Sequence, residues 1–131
     1  MPASVERDAS VDRKTIRAAE GEPVWVWVNH VKADKWEQHE HFVHDLLMPA
    51  TQKVDVPVFR HTRFLHPSRP NEDGTYTSAW LMDPGLEGGD YDMLSLLKKA
   101  YGEEKGEEYY RLWTDSLVSS QVGYSFIQSP W

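Results

Sequence analysis

The sequence predicts an α+β fold: a four-stranded antiparallel sheet with its helices on one face, in the ferredoxin-like order βαββαβ. Three features of the chain point there. Pro23 to Val31 alternates two sets of side chains residue by residue, as a strand does. Lys35 to about Met48 carries apolar residues at helical spacing. Beyond it, the patterns run strand, strand, helix, strand, with Asp73-Gly74 as the hairpin turn between the middle pair. Right-handed crossovers then put the first and third strands at the centre.

In the first strand Val24, Val26, Val28 and His30 point one way, and Trp25, Trp27, Asn29 and Val31 the other. Both sets are largely apolar, which predicts cover on both faces. Asp34 and Glu37 have the spacing of a capping box for the helix that follows. Trp36, Val43, Leu46, Leu47 and Ala50 form its stripe, with Phe42 on the flank and His39 inside it. Pro49 marks the expected exit, with an extra turn possible beyond it. Val58 to His66 reads as an edge strand between Pro57 and Pro67, and Thr75 to Met82 as its hairpin partner. Tyr91 to Tyr101 reads as a helix, interrupted at Gly102 and Gly106 and resumed from Glu107 to about Val118. Gln121 to Gln128 is the last strand, with Val122, Tyr124 and Phe126 on one face. Since the helices cover one sheet face only, the Val face of the first strand calls for a second copy of the sheet.

The 131 residues suit one domain with a core that needs no staples. Residues 1–22 are polar and poor in large apolar groups, so they are expected to form a flexible N-terminal arm; residues 23–131 are the single folded domain. The chain has no cysteine, which excludes disulfides, thiolate catalysis and Cys-based metal sites and fits a cytoplasmic location. No apolar run approaches the about 20 residues of a membrane span, and the N-terminus lacks the apolar core of a secretory signal. A net charge of -7 is the wrong footprint for nucleic acid. Six tryptophans point to a large aromatic core, an oligomer interface, or a pocket for a flat ligand.

The run VWVNHVKADKWEQHEHFVHDLLMPA resembles the opening of the dimeric α/β-barrel superfamily. There a first strand enters a helix through a VKPGK-like turn; here the turn reads Val31-Lys32-Ala33-Asp34-Lys35. Thr77-Ser78-Ala79-Trp80 resembles the end of the third strand in the antibiotic-biosynthesis-monooxygenase branch, and SSQVGYSFIQSPW resembles that branch's last strand. The resemblance implies a homodimer joined through its sheet faces, with a pocket between sheet and helices in each subunit. Members include cofactor-free oxygenases of polycyclic phenols and haem-degrading oxygenases. In several, an Asn on the first strand, a Trp on the third and a His on the second helix line the pocket. Asn29 and Trp80 are similar to the first two. Residues 91–120 contain no histidine, and Tyr109, Tyr110 and Trp113 occupy that region.

The candidate catalytic residues are Asn29, His39 and Trp80. His39 faces the sheet, either as a general base in a dry pocket or as a core histidine bonded to a backbone carbonyl or to Asn29. Asn29 either holds a substrate oxygen through its N–H groups or satisfies a strand end. Trp80, with Trp25, Trp27 and Trp113, forms either an aromatic box for a planar substrate or core and dimer packing. Trp36 beside His39, His61 in the basic cluster with Arg60 and Arg63, and Tyr110 with its phenol O–H are further candidate substrate contacts. Glu37, His41 and His44 stand at metal-ligand spacing, but on an exposed helix face, so no metal is assigned. No nicotinamide or flavin motif is present, so no cofactor is assigned. The first functional reading is a cofactor-independent, monooxygenase-like enzyme for a small aromatic or hydrophobic molecule. The second is a binding or structural barrel without turnover. The third, a haem-binding protein, has only His39 or His61 as axial ligand.

Overall fold

The computed structural model describes residues 17–131. Strand β1 (Pro23–Val31) leads into helix α1 (Trp36–His41), a π-helical segment (Phe42–Leu47) and helix α2 (Met48–Lys53). A 3₁₀ turn (Pro57–His61) precedes β2 (Thr62–Leu65), and β3 (Tyr76–Met82) completes the hairpin. Helices α3 (Met93–Tyr101) and α4 (Glu103–Ser116) and strand β4 (Val122–Ile127) follow. The four strands form one antiparallel sheet in the order β2-β3-β1-β4, the ferredoxin-like arrangement.

Pairing decides which side chains meet. Trp27 lies opposite Trp80 on β3 and opposite Gly123 on β4; Asn29 lies opposite Ser78. This face turns to the helices, and Asn29, Val31, Ser78, Trp80 and Met82 are buried in it. Phe42, Val43, Leu47, Leu97 and Trp113 supply the helical half of the core. The opposite face carries Val24, Val26 and Val28 beside Phe126, Tyr124 and Val122. No element of the described chain covers it, and Val122, Tyr124 and Phe126 remain 49%, 52% and 53% exposed.

Three local expectations are corrected, and the open question of an extra turn beyond Pro49 is decided. The capping box does not form: Lys35 occupies the position before the helix without a side-chain cap, because its own carbonyl takes the first helical bond, from His39 N–H at 2.9 Å. The first helical run takes the extra turn beyond Pro49. It widens upstream, where Met48 N–H donates to Val43 C=O five residues back. Proline has no N–H and its ring crowds the carbonyl four residues before it, and a π turn relieves that crowding. Pro49 then sits in the first turn of α2. The extra residue rotates the stripe and fully buries Phe42. The second strand begins only at Thr62, because Pro57 opens a 3₁₀ turn that buries Val58. Finally, α4 runs straight through Gly106; the break is at Gly102 alone, with φ 97°. A Cβ on Gly106 would lie 2.7 Å from the Lys98 backbone, so hydrogen is what lets α3 and α4 touch there.

Residues 1–16 of the expected arm lie outside the described residues. Its end docks on the domain: Ala18 is buried, and its N–H donates to Asp83 Oδ1 at 2.6 Å.

Candidate functional site

The chain's own chemistry concentrates where β1, β3 and α4 enclose α1. His39 is fully buried there, stacked between Trp36 at 5.4 Å and Trp113 at 4.8 Å, centroid to centroid. Its Nδ1 lies 3.0 Å from Ser116 Oγ and its Nε2 2.9 Å from Ser78 Oγ. Ser116 ends α4, and its hydroxyl donates to Trp113 C=O at 2.7 Å. On the other side Asn29 Nδ2 donates to Ser78 Oγ at 3.0 Å, and Gln121 Nε2 donates to Asn29 Oδ1 at 2.6 Å. Six polar groups thus form one continuous chain through the core.

A carbonyl can only accept, so Trp113 C=O sets the direction of the chain. The Ser116 proton is used on it, and Ser116 Oγ therefore accepts from His39 Nδ1–H. His39 Nε2 then accepts the Ser78 proton, and Ser78 Oγ accepts from Asn29. Neutral imidazole fits this scheme. Burial, with a smaller contribution from the charge on His66, lowers His39 from 6.5 to about 4. Both ring nitrogens are committed, so His39 has no free atom with which to take a proton from a molecule beside it, or to ligate a haem iron, unless the chain breaks.

A cavity of about 510 Å³ opens next to this network, along β1 and β4. Trp25, Trp27, Trp80, Met82, Tyr91 and Phe59 provide its apolar walls, and Thr62 and Gln121 bring polar groups to it. Two glycines make room for its tryptophans. A Cβ on Gly123 would come within 2.8 Å of the Trp27 ring, and one on Gly85 within 2.4 Å of the Trp25 ring. Tyr91 is held edge-on to Trp25 at 5.8 Å, and its hydroxyl accepts from Leu86 N–H at 2.9 Å. Trp80 borders the cavity with its Nε1 buried and without a hydrogen-bond partner among the described residues.

The sequence-derived candidates therefore divide. Trp25, Trp27 and Trp80 come together at the cavity. Asn29 and His39 stand behind it, reached through Gln121. Trp36, His61, Tyr110 and Trp113 do not line it. Trp36 stacks on Tyr76 at 5.1 Å, Tyr110 packs against the core, and Trp113 is itself core, 2% exposed. His61 ends the 3₁₀ turn with Nδ1 buried and unpaired among the described residues. Its neighbours Arg60 and Arg63 are bound within the chain, to Asp55 and Asp83. Gln121, Thr62 and Tyr91 carry no sequence pattern that marks them. Ser78 was accessible in principle, since strand pairing puts it opposite Asn29.

Glu37, His41 and His44 do not share a site: His41 pairs with Asp45 at 2.8 Å. His44 instead meets His66, Nε2 to Nε2 at 3.0 Å, with Glu40 3.4 Å from His66 Nδ1. The two histidines are exposed and Glu40 is half-buried, and an N–H donated from one imidazole to the other accounts for the contact.

No protein-family model matches the chain, and a search of curated proteins gives no match. Among solved structures, a candidate antibiotic biosynthesis monooxygenase from Caulobacter crescentus is similar to it, with 16% identity and a TM-score of 0.45 over 83% of this chain and 91% of that one. The ferredoxin-like assignment rests on this chain's own strand order. Among the described residues, no helix is long and apolar enough to cross a membrane.

Proposed function

We propose that this protein binds a small aromatic or otherwise hydrophobic molecule in the cavity along β1 and β4, and that it does so as a homodimer. The cavity itself carries the reading: about 510 Å³, walled by three tryptophans and two tyrosines, with a few polar groups at its edge. Small-molecule sites have this size and this balance of apolar wall and sparse polar contacts. The test is quenching of tryptophan fluorescence by a bicyclic phenol such as 1-naphthol. Saturable quenching is expected, with affinity about tenfold weaker in Trp27→Ala, the loss of one aromatic wall. Quenching that never saturates in the wild-type chain would remove the reading.

The dimer follows from the uncovered sheet face. Val24, Val26, Val28, Tyr124 and Phe126 form a contiguous apolar surface, and a second sheet laid on it would bury it. Sedimentation at micromolar concentration is expected to give a dimer, and Val26→Asp a monomer that stays folded. A wild-type monomer at that concentration would sink the pairing.

Oxygenation without a cofactor is the second reading, favoured by the sequence resemblance and by the aromatic, partly enclosed cavity. In the simplest form an activated methylene becomes a carbonyl: one oxygen atom of O₂ enters the product, and the other leaves as water with the two methylene hydrogens. Asn29 and Trp80 are the proposed positioning groups, Asn29 acting through Gln121. His39 is proposed to hold Asn29 through Ser78 rather than to accept the substrate proton. Oxygen uptake with a panel of phenols and quinols separates the two readings. Uptake above the protein-free rate supports turnover; saturable binding without uptake leaves a binding protein.

A further inference from the structure

Gln121 joins α4 to β4 and is the one member of the polar chain that also borders the cavity. An unrestrained glutamine presents its oxygen or its nitrogen equally well, because its amide rotates by half a turn. Here rotation is resisted. Turning Gln121 over would set its Oε1 against Asn29 Oδ1, two acceptors at the 2.6 Å now spanned by a hydrogen bond. Turning Asn29 over as well passes the conflict on. Ser78 would then donate to Asn29, and His39 would have to donate from Nε2 to Ser78. Nδ1 of the neutral ring would face Ser116 Oγ at 3.0 Å, lone pair to lone pair, since the Ser116 proton is held by Trp113 C=O. Turning the Ser116 hydroxyl to Nδ1 would leave its oxygen 2.7 Å from Trp113 C=O, acceptor to acceptor, and an imidazolium is disfavoured in a fully buried site between two indoles.

With one Nε2–H held by Asn29, Oε1 is the amide's acceptor where Gln121 meets the cavity, and no donor among the described residues is bonded to it. We infer that the cavity's occupant presents a hydrogen-bond donor, a phenol O–H or an aromatic N–H, to Gln121 Oε1, and that the buried chain ending at Trp113 C=O fixes Gln121 in that orientation. A phenol suits the site on a second count. Its oxygen is also an acceptor, and Trp80 Nε1 is a buried donor without a partner among the described residues. The inference rests on the cavity being a binding site and adds the polarity of what it selects. Gln121 reads the ligand; Ser116 and His39 are positioning residues.

The probes are 1-naphthol and 1-methoxynaphthalene, which share a ring system and an oxygen and differ in the donor. Binding to the full chain is measured by fluorescence and by calorimetry at pH 7. Wild type is expected to bind naphthol about tenfold more tightly, the ordinary worth of one such hydrogen bond. Gln121→Met keeps the length and removes the amide; it is expected to abolish the preference. Ser116→Ala removes the anchor and is expected to narrow the preference with Gln121 intact, an effect that mere loss of packing would not single out. Equal binding of the two probes to wild type, or a preference that survives Gln121→Met, overturns the inference and leaves the cavity reading standing. Saturable binding of neither probe overturns both.

Discussion

Acidification from pH 7 to pH 4 is expected to lower the stability of this protein by ~3 kcal/mol through His39 alone. The folded imidazole titrates at about 4, against 6.5 for an unburied one. As pH falls through 6.5 the unfolded chain takes up this proton, while the folded chain refuses it until about 4. The contribution is therefore complete above pH 6.5, drains between 6.5 and about 4, and is constant below. At about 1.4 kcal/mol per pH unit, that interval gives the figure above. The cause is burial, reinforced by His66; the groups packed on the ring, Trp36, Trp113, Ser78 and Ser116, offer no negative charge to offset it. Urea denaturation at pH 7 and at pH 4.5 measures the drop, and His39→Gln supplies the comparison, since glutamine can donate and accept without titrating. Carboxylates that titrate near pH 4 act on both chains alike. A pH slope in His39→Gln as steep as in wild type would show that His39 is not the group responsible.

The same residue shows what could be read from the sequence. Alternation in β1 and helical spacing after Lys35 are enough to put His39 and Asn29 on facing surfaces, because both periods are fixed by backbone geometry. They do not say whether a buried imidazole is free or satisfied. That depended on Ser78 and Ser116, whose positions follow from the register of β3 and from the end of α4. Register and helix ends arise from pairing and packing across the whole domain, with contacts here 39 and 77 residues apart in sequence. The π turn at Phe42–Leu47 has a similar origin. A proline at position 49 reads as a stop, yet the apolar residues on both sides of it are worth burying together, and a wider turn keeps them on one face.

The tryptophans sort by the same logic. Composition alone could not divide six of them between core and pocket. Tertiary packing does so: Trp27 lies against Gly123 of β4 and Trp25 against Gly85 of the loop after β3, and both stay beside open volume. Trp36 and Trp113 face aromatic rings and fill theirs. Trp80 belongs to both groups, packed on Phe64 at 4.7 Å and bordering the cavity.

Trp113→Ala is expected to destabilise the fold by about 3–5 kcal/mol, a large part of what holds together a domain of this size. The indole is 2% exposed and touches three rings that belong to different elements: His39 at 4.8 Å, Phe42 at 5.4 Å and Trp80 at 6.1 Å. Truncation leaves a void that none of them can fill without dragging its own helix or strand. It also strips one face of the His39 ring and lets water toward a site whose neutral imidazole depends on being dry. The stability of Trp113→Ala should therefore vary less with pH between 6.5 and 4 than that of wild type. Trp27→Ala makes the contrast. That ring is 39% exposed and lies against the cavity, so its loss is expected to cost under about 1.5 kcal/mol in stability while weakening the bound ligand. Thermal and urea denaturation of the two variants, read beside their ligand titrations, separate a residue that builds the site from one that forms its wall. Equal stability losses in both would mean that the cavity wall is part of the core, and the aromatic surface along β1 would then be scaffold rather than a place for a ligand.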